Sequence, residues 1–286
     1  MNFRSDLALE QADQWGADLP QGIQQEQRQV GNVQIDHIRV TDQQGAALLQ
    51  KPMGSYITAT LPPFGEHAEL SQEELQALAG ELQQLLPREG LVLVVGLGNR
   101  HMTPDALGPL AADGVLATRH IQGELAKATG LDQLRPVAVL SPGVLGQTGV
   151  ESAEIIASMA QELKPAAVIA MDALAARNPH RLGCAIQMAD SGIAPGSGVL
   201  NRRRELSRQT LGVPVVSMGV PTVIDVPTLL ADHQVQGELP QRLQTLMVTP
   251  REVDLMIQRS ARALSLVVNR ALQPDVPLED LAYLTS

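Results

Sequence analysis

Two aspartates carry the strongest chemical signal in this chain. Asp105 falls in "GLGNRHMTPDALGP" (96–109), directly after the apolar run "LVLVVG" (91–96). Thr103-Pro104-Asp105 reads as a helix start, with a hydroxyl cap, a proline at the first position and an acid in the first turn. The helix dipole favours an acid there whatever its role, so Asp105 alone is first a helix-start residue. Asp172 closes a second apolar run, "AAVIAMD" (166–172). An acid closing a buried parallel strand stands on the sheet edge where open α/β folds bind ligands. Alone it is equally compatible with a hydrogen bond that orders the loop after it. If the two strands are neighbours, both carboxylates reach one crevice. Close acids titrate apart, leaving one protonated and one ionised. Such a pair could activate water and protonate a leaving amine.

The surrounding motifs narrow the chemistry. "GLGN" opens like a dinucleotide loop, but His101 stands where the third glycine would fall. No phosphate-loop lysine pattern and no G-x-S-x-G elbow occur. "SPGVLGQTGVES" (141–152) and "SGIAPGSG" (191–198) are glycine-rich loops. They either admit a peptide backbone, with free N–H groups as donors, or simply turn into helices. Asp190 and Asp225 have no partner that spacing identifies. The six histidines show no ligand spacing and read as surface or helix-cap groups. Arg100, Arg177 and Arg202 are candidates for holding substrate acids. Cys184 is alone, which excludes an intramolecular disulfide and a cysteine-based zinc site, and is expected as a small buried apolar residue.

The elements that must position these residues follow from patterning. "LVLVVG", "RPVAVL" (135–140), "AAVIAMD" and "VPVVSMG" (213–219) are short aliphatic runs without alternation. Helical stretches at 104–120, 151–163 and 200–210 separate them. That pattern predicts a parallel sheet covered on both faces. "VQIDHIRV" (33–40) and "SYITATL" (55–61) read as strands of an N-terminal antiparallel addition. Ser71 and Glu74 form a capping box ahead of a helix, and Thr249 with Glu252 reads as a second one before a long amphipathic helix to 272. "PTVIDVPTLLADH" (221–233) reads as helical, with Pro227 a break. The polar, Gln-rich residues 1–30 read as an arm ordered by the rest. The expectation is one α/β domain over residues 1–286, with a mostly parallel central sheet flanked by helices.

Composition excludes several classes. A net charge of −10, with three lysines in 286 residues, argues against a nucleic-acid surface. Aromatics make up only 2% of the chain, so the core must be aliphatic. No apolar run approaches the roughly 20 residues of a membrane span. "MNFRSDLALEQADQW" has neither an apolar signal core nor a basic lead, so a cytoplasmic protein is expected.

Taken together, "VVGLGN…TPDALGP", "RPVAVLSPGVLGQTGVES", "KPAAVIAMDALAAR", "DSGIAPGSGVLNRRRELS", "LGVPVVSMGVPTVID" and "LMVTPREVD" resemble the spore germination endopeptidases. The motifs run in family order from residue 4 to about 272. The resemblance implies a homotetrameric peptidase that degrades small acid-soluble spore proteins in the spore interior and is made as an inactive precursor. It matches the family's proposed catalytic aspartates to Asp105 and Asp172. It also implies cleavage after an acidic residue followed by an aliphatic residue and alanine. Asp6-Leu7-Ala8 fits that rule, so self-cleavage is expected between Asp6 and Leu7, releasing residues 1–6. No cofactor, metal, nucleic acid or membrane is expected to take part.

Two departures stand out: Ala194 replaces an expected histidine, which argues against three side chains holding a metal, and the insertion before "LMVTP" is cut to "QVQGELPQRLQT". The competing readings are a metal-dependent peptidase of the hydrogenase-maturation type and a non-catalytic nucleotide-binding module.

Overall fold

Strand pairing begins where the composition is least apolar. In the computed structural model, which describes residues 5–16, 18–66, 69–121, 124–128, 131–194, 205–232, 240–277 and 280–281, β1 (Ile23–Val30) pairs antiparallel with β2 (Val33–Val40), and β2 with β3 (Gly54–Thr60). The expected polar arm is therefore in part an edge strand. Its glutamines have a use: Nε2 of Gln25 and of Gln27 donate to Oδ1 of the fully buried Asp36, at 3.1 and 2.9 Å. A buried carboxylate needs such donors, and a polar strand supplies them.

The rest of the sheet is β4 (Val92–Gly96), β5 (Val137–Leu140), β6 (Ala167–Ala175), β7 (Ala185–Ala189) and β8 (Val215–Asp225), with the short β9 (Met247–Val248) paired to the end of β8. The order is β1-β2-β3-β7-β8-β6-β4-β5. Pairings β8–β6, β6–β4 and β4–β5 are parallel, and the other four along this path are antiparallel. The sheet is thus mixed, which corrects the expectation of a mostly parallel one. Besides β1, the strand that pattern does not show is β7, "AIQMA", whose central Gln187 interrupts its apolar run. It joins the antiparallel addition to the parallel half, so a single sheet runs through both.

Helices Gln72–Leu85, Leu107–Asp113 and Val253–Leu272 bury Leu78, Leu82, Leu107, Ile257, Leu264 and Val268 in one aliphatic core with the sheet. Helix Ser152–Leu163 covers the other face of the parallel strands through Ala153 and Ile156. The box at Ser71 forms, with Ser71 Oγ accepting the Glu74 N–H. Glu74 also accepts the N–H of Ser71 and that of Asn32 in the β1–β2 turn. Burial works against its charge, yet those donors hold the Glu74 carboxyl below its ordinary value.

The box at Thr249 does not form. Its hydroxyl donates instead to the Thr222 carbonyl at 2.9 Å, and the helix begins at Val253 without a side-chain cap. Residues 221–225 continue β8, and helix Val226–Asp232 starts with Pro227 inside its first turn, where proline is tolerated. The expected helix at 104–120 ends at Asp113, and Cys184 is half-buried rather than buried. Of the helix expected at 200–210, residues 200–204 lie outside the described residues and the described part is helical only over Arg208–Leu211; part of "QVQGELPQRLQT" also lies outside the described residues. Among the described residues no helix is long and apolar enough to cross a membrane.

One ion cluster couples the edge hairpin to the helix beneath it. Glu81, buried on Gln72–Leu85, pairs with Arg28 and lies 2.8 Å from His37 Nε2. His37 is thus a partner in this cluster rather than a surface or cap group. Burial opposes the Glu81 charge, but His37 and Arg28 outweigh it and hold the carboxyl below its ordinary value. A depressed acid contributes stability above its unfolded pKa and loses it as pH falls through the folded one. Glu81→Gln should therefore cost about 1–3 kcal/mol at neutral pH. Urea melts should show wild type and variant converging below the ordinary carboxylate range near pH 4.

Candidate functional site

The site forms where β4 ends beside Met171 of β6. Leu97, just past β4, donates its N–H to the Met171 carbonyl at 2.8 Å, extending the β4–β6 pairing by one bond. The chain then turns at Gly98 (φ +114), where a Cβ would lie 2.0 Å from the Asp105 carbonyl oxygen. Only glycine fits that turn. A 3-10 turn over Thr103–Asp105 leads into helix Leu107–Asp113. Asp105 Oδ2 accepts the Asn99 N–H at 2.7 Å, so the acid reaches back to close its own loop. Thr222 of β8 fastens the same loop by donating its hydroxyl to the Pro104 carbonyl at 2.8 Å. The glycines of "GLGN" thus serve a tight strand-to-helix junction, which is the local demand a dinucleotide loop shares.

Asp172 is 5% exposed and its Oδ1 accepts the Ala173 N–H at 2.9 Å. It does not close its strand, contrary to expectation. β6 runs three residues further because β8 stays paired beside it as far as Val223, across a register shift at Leu174/Ala175. Asp105 and Asp172 line one cavity of about 700 Å³. Sequence reasoning required a shared crevice, and these two residues share one.

A length of the chain's own N-terminus also reaches that cavity, through Asp6. The Asp6 N–H donates to the Ala175 carbonyl at 2.9 Å, and its carboxylate accepts the Ala175 N–H at 2.7 Å. Leu7 and Ala8 are fully buried. Ala8 N–H donates to Gln187 Oε1, while Gln187 Nε2 donates to the Asp6 carbonyl, both at 2.7 Å. Lys51 Nζ donates to the carbonyls of Ser5 and Asp6 at 3.1 and 3.0 Å. Burial pulls the Lys51 ammonium below its ordinary value, against the opposing pull of Asp6 and Glu10. Glu10 fixes the far end of the segment by accepting the N–H groups of Arg177 and Asn178 at 2.7 and 2.8 Å.

Lys51 and Gln187 escaped the sequence reading. Gln187 sits in the short strand that pattern missed. Lys51 follows Gln50, whose left-handed φ of +54 ends helix Gln43–Leu49 and turns the chain. The available signal was the scarcity of lysine itself.

The other candidates are placed differently. Arg100, in the loop after β4, pairs with Asp113 through both terminal nitrogens, at 2.5 and 2.8 Å, and so is tied to the end of helix Leu107–Asp113. Arg177 meets the segment through its backbone, and Arg202 lies outside the described residues. Asp190 accepts the Ser55 N–H, and Asp225 accepts both the N–H and the hydroxyl of Thr228, so both are structural. Of the two glycine-rich loops, Val144, Gly146 and residues 191–194 line the cavity, and residues 195–198 lie outside the described residues. Among the described residues no three His, Cys, Asp or Glu side chains group so as to hold a metal.

The fold is thus an α/β protein with two acids on one cleft and, at the wall of that cleft, Asp6 of its own N-terminal segment, just ahead of the short helix Ala8–Ala12. The comparisons with known proteins then specify it. The family model described as "Peptidase_A25: Germination protease" matches residues 5–236. A germination protease of Caldanaerobacter subterraneus subsp. tengcongensis is 35% identical, with 99% of this chain and 98% of that protein aligned. One from Clostridium tetani is 34% identical over 98% of each. One from Bacillus pumilus is 43% identical over 74% of this chain and 58% of its own length. Among solved structures, the [NiFe] hydrogenase maturation protease HycI from Thermococcus kodakarensis aligns at 19% identity and a TM-score of 0.40, over 67% of this chain and 98% of its own. The chain belongs to the germination protease family. It is a peptidase, a hydrolase of proteins, and a germination endopeptidase.

Proposed function

We propose that Asp105 and Asp172 act jointly as general base and general acid on a peptide bond that follows an acidic residue. One carboxylate takes a proton from the attacking water, and the pair returns a proton to the departing amine. The observation that carries this reading is the shared cavity, with Asp6 of the chain's own Asp6-Leu7-Ala8 at its wall. An acid at position 6 offers the acceptor that the Ala175 N–H satisfies. Complete burial of Leu7 and Ala8 suits an aliphatic residue followed by a small one. The substrates we propose are small acid-soluble spore proteins. We further propose a single α/β unit that assembles as a homotetramer in the spore interior and activates by cutting itself after Asp6.

Incubating the full-length chain under activating conditions and sequencing the product tests the self-cleavage. The new N-terminus should be Leu7, and its appearance should precede cleavage of added spore protein. An active enzyme that keeps Met1 would refute it.

A further inference from the structure

The register of three strands sets the stage. Asp172 of β6 and Gln187 of β7 are both paired with Gly219 of β8, one from each side. Residues paired across a sheet project to the same face, so Asp172 and Gln187 stand in one row, two strand spacings or about 10 Å apart. Between them is a residue with no side chain. A Cβ at Gly219 would lie 2.3 Å from the Asp172 carbonyl oxygen, and 2.8 Å from Leu174 Cγ. The row is therefore an acid, a gap and an amide.

The N-terminal segment meets this row at the amide. Gln187 is bonded on both sides of the Asp6–Leu7 bond, through the Asp6 carbonyl and the Ala8 N–H. That pair of hydrogen bonds to one side chain fixes the direction in which the Asp6 carbonyl points. Lys51 reaches the same oxygen from helix Gln43–Leu49's end, so one oxygen accepts from two converging donors, at 2.7 and 3.0 Å. Two donors already converging on a carbonyl oxygen are placed to hold the negative charge that develops on it when the carbon is attacked. Lys51 and Gln187 line the cavity that Asp105 and Asp172 line. The positive charge of Lys51 is faced by the carboxylates of Asp6 and Glu10.

We infer that Lys51 and Gln187 form the oxyanion site of this peptidase, and that side chains take the role which the glycine-rich loops suggested for backbone N–H groups. The inference rests on the reading of Asp6–Leu7 as the bond that is cut. Water oxygen bonds to the Asp6 carbonyl carbon, and one water proton passes to the ionised member of the aspartate pair. The carbonyl π electrons move onto oxygen, where the Lys51 ammonium and the Gln187 amide hold them. When they return, the bond from carbon to the Leu7 nitrogen breaks and that nitrogen takes a proton from the pair. The products are the Asp6 carboxyl group and a free Leu7 amine.

The test uses the full-length chain, with two readouts on each variant. The first is the rate at which Leu7 appears as a new N-terminus. The second is hydrogen exchange in residues 5–12, which reports whether the segment stays docked. Lys51→Met removes one donor. Gln187→Glu removes the other while keeping an acceptor for the Ala8 N–H. Each should slow cleavage by roughly 10²–10³, with exchange in the segment unchanged. Cleavage at the wild-type rate in both variants would overturn the inference. So would a slowing matched by loss of exchange protection, because that is the mark of an anchor. If Lys51→Met fails to fold, Gln187→Glu decides alone. Failure of the wild-type chain itself to cut after Asp6 would remove the underlying reading, and it is seen before any variant is compared.

Discussion

Asp105→Asn and Asp172→Asn will each lower the rate of peptide hydrolysis by about 10³-fold or more while leaving the chain folded, since positioned acid–base groups typically contribute 10²–10⁴. The substitution is chosen for what it preserves. Asparagine keeps an oxygen that can accept the Asn99 N–H at position 105 and the Ala173 N–H at position 172. Loop closure and strand geometry therefore survive, and melting temperatures should stay close to wild type. What is lost is the capacity to take and return a proton. Two groups acting as one unit are also non-additive: once either is gone, the other has little left to do. The double variant should accordingly be no more than a few-fold slower than the worse single one. Single-turnover cleavage of a spore protein, with product mapped by mass spectrometry, measures both quantities. Retention of a tenth of wild-type activity by either single variant would break the joint assignment, and multiplicative losses would mean two separate roles.

The parts of this arrangement that were legible in the sequence are those whose cause is local. Aliphatic runs of four to six residues fall on β4, β5, β6 and β8 because a strand covered on both faces has no polar side to show. The Ser71 box forms because its two partners lie one helical turn apart. Asp105 and Asp172 could be singled out because each follows or sits in such a run.

What stayed hidden depends on contacts distant in the chain. Gln25 and Gln27 read as an arm until Asp36 is seen beside them, eleven and nine residues away across a hairpin. Thr249 has the spacing of a cap but finds a better acceptor in Thr222, 27 residues earlier. Asp172 looked like a strand's last residue because "ALAAR" lacks the bulk of a buried run, yet β8 pairs it onward to Ala175. Lys51 and Gln187 lie 136 positions apart in sequence by their numbering and meet only through a third segment, the N-terminus. Periodicity reads elements well, whereas a site assembled by three segments is a property of the sheet order.

Gly108 shows how tightly that order constrains the site, and Gly108→Ala should be severely damaging for a change of one methyl group at a helical backbone position. The helix bearing Gly108 crosses the β4–β6 junction so closely that an added Cβ would lie 2.2 Å from the Leu97 carbonyl oxygen, 2.3 Å from that of Met171 and 2.6 Å from the Leu97 nitrogen. All three are backbone atoms, and the Leu97 nitrogen and the Met171 oxygen are bonded to each other at 2.8 Å. No rotamer change can relieve the overlap. Either the helix lifts or the β4–β6 junction opens, and both movements separate Asp105, two residues before the helix starts, from Asp172, one residue past Met171. Overpacking of this kind costs about 3 kcal/mol or more, which for a chain of this size lowers the melting temperature by roughly 10 °C. Activity should fall further than stability, because the variant that remains folded at low temperature holds its two acids in the wrong relation. Gly80→Ala is the matched control, since nothing lies within 4 Å of a Cβ there and the position is inside helix Gln72–Leu85. It should stabilise the chain by about 0.5–1 kcal/mol and leave cleavage unchanged. Calorimetry of the two variants beside their cleavage rates at low temperature separates the effects. A Gly108→Ala enzyme with wild-type activity would mean that the two carboxylates need not be held by this junction at all.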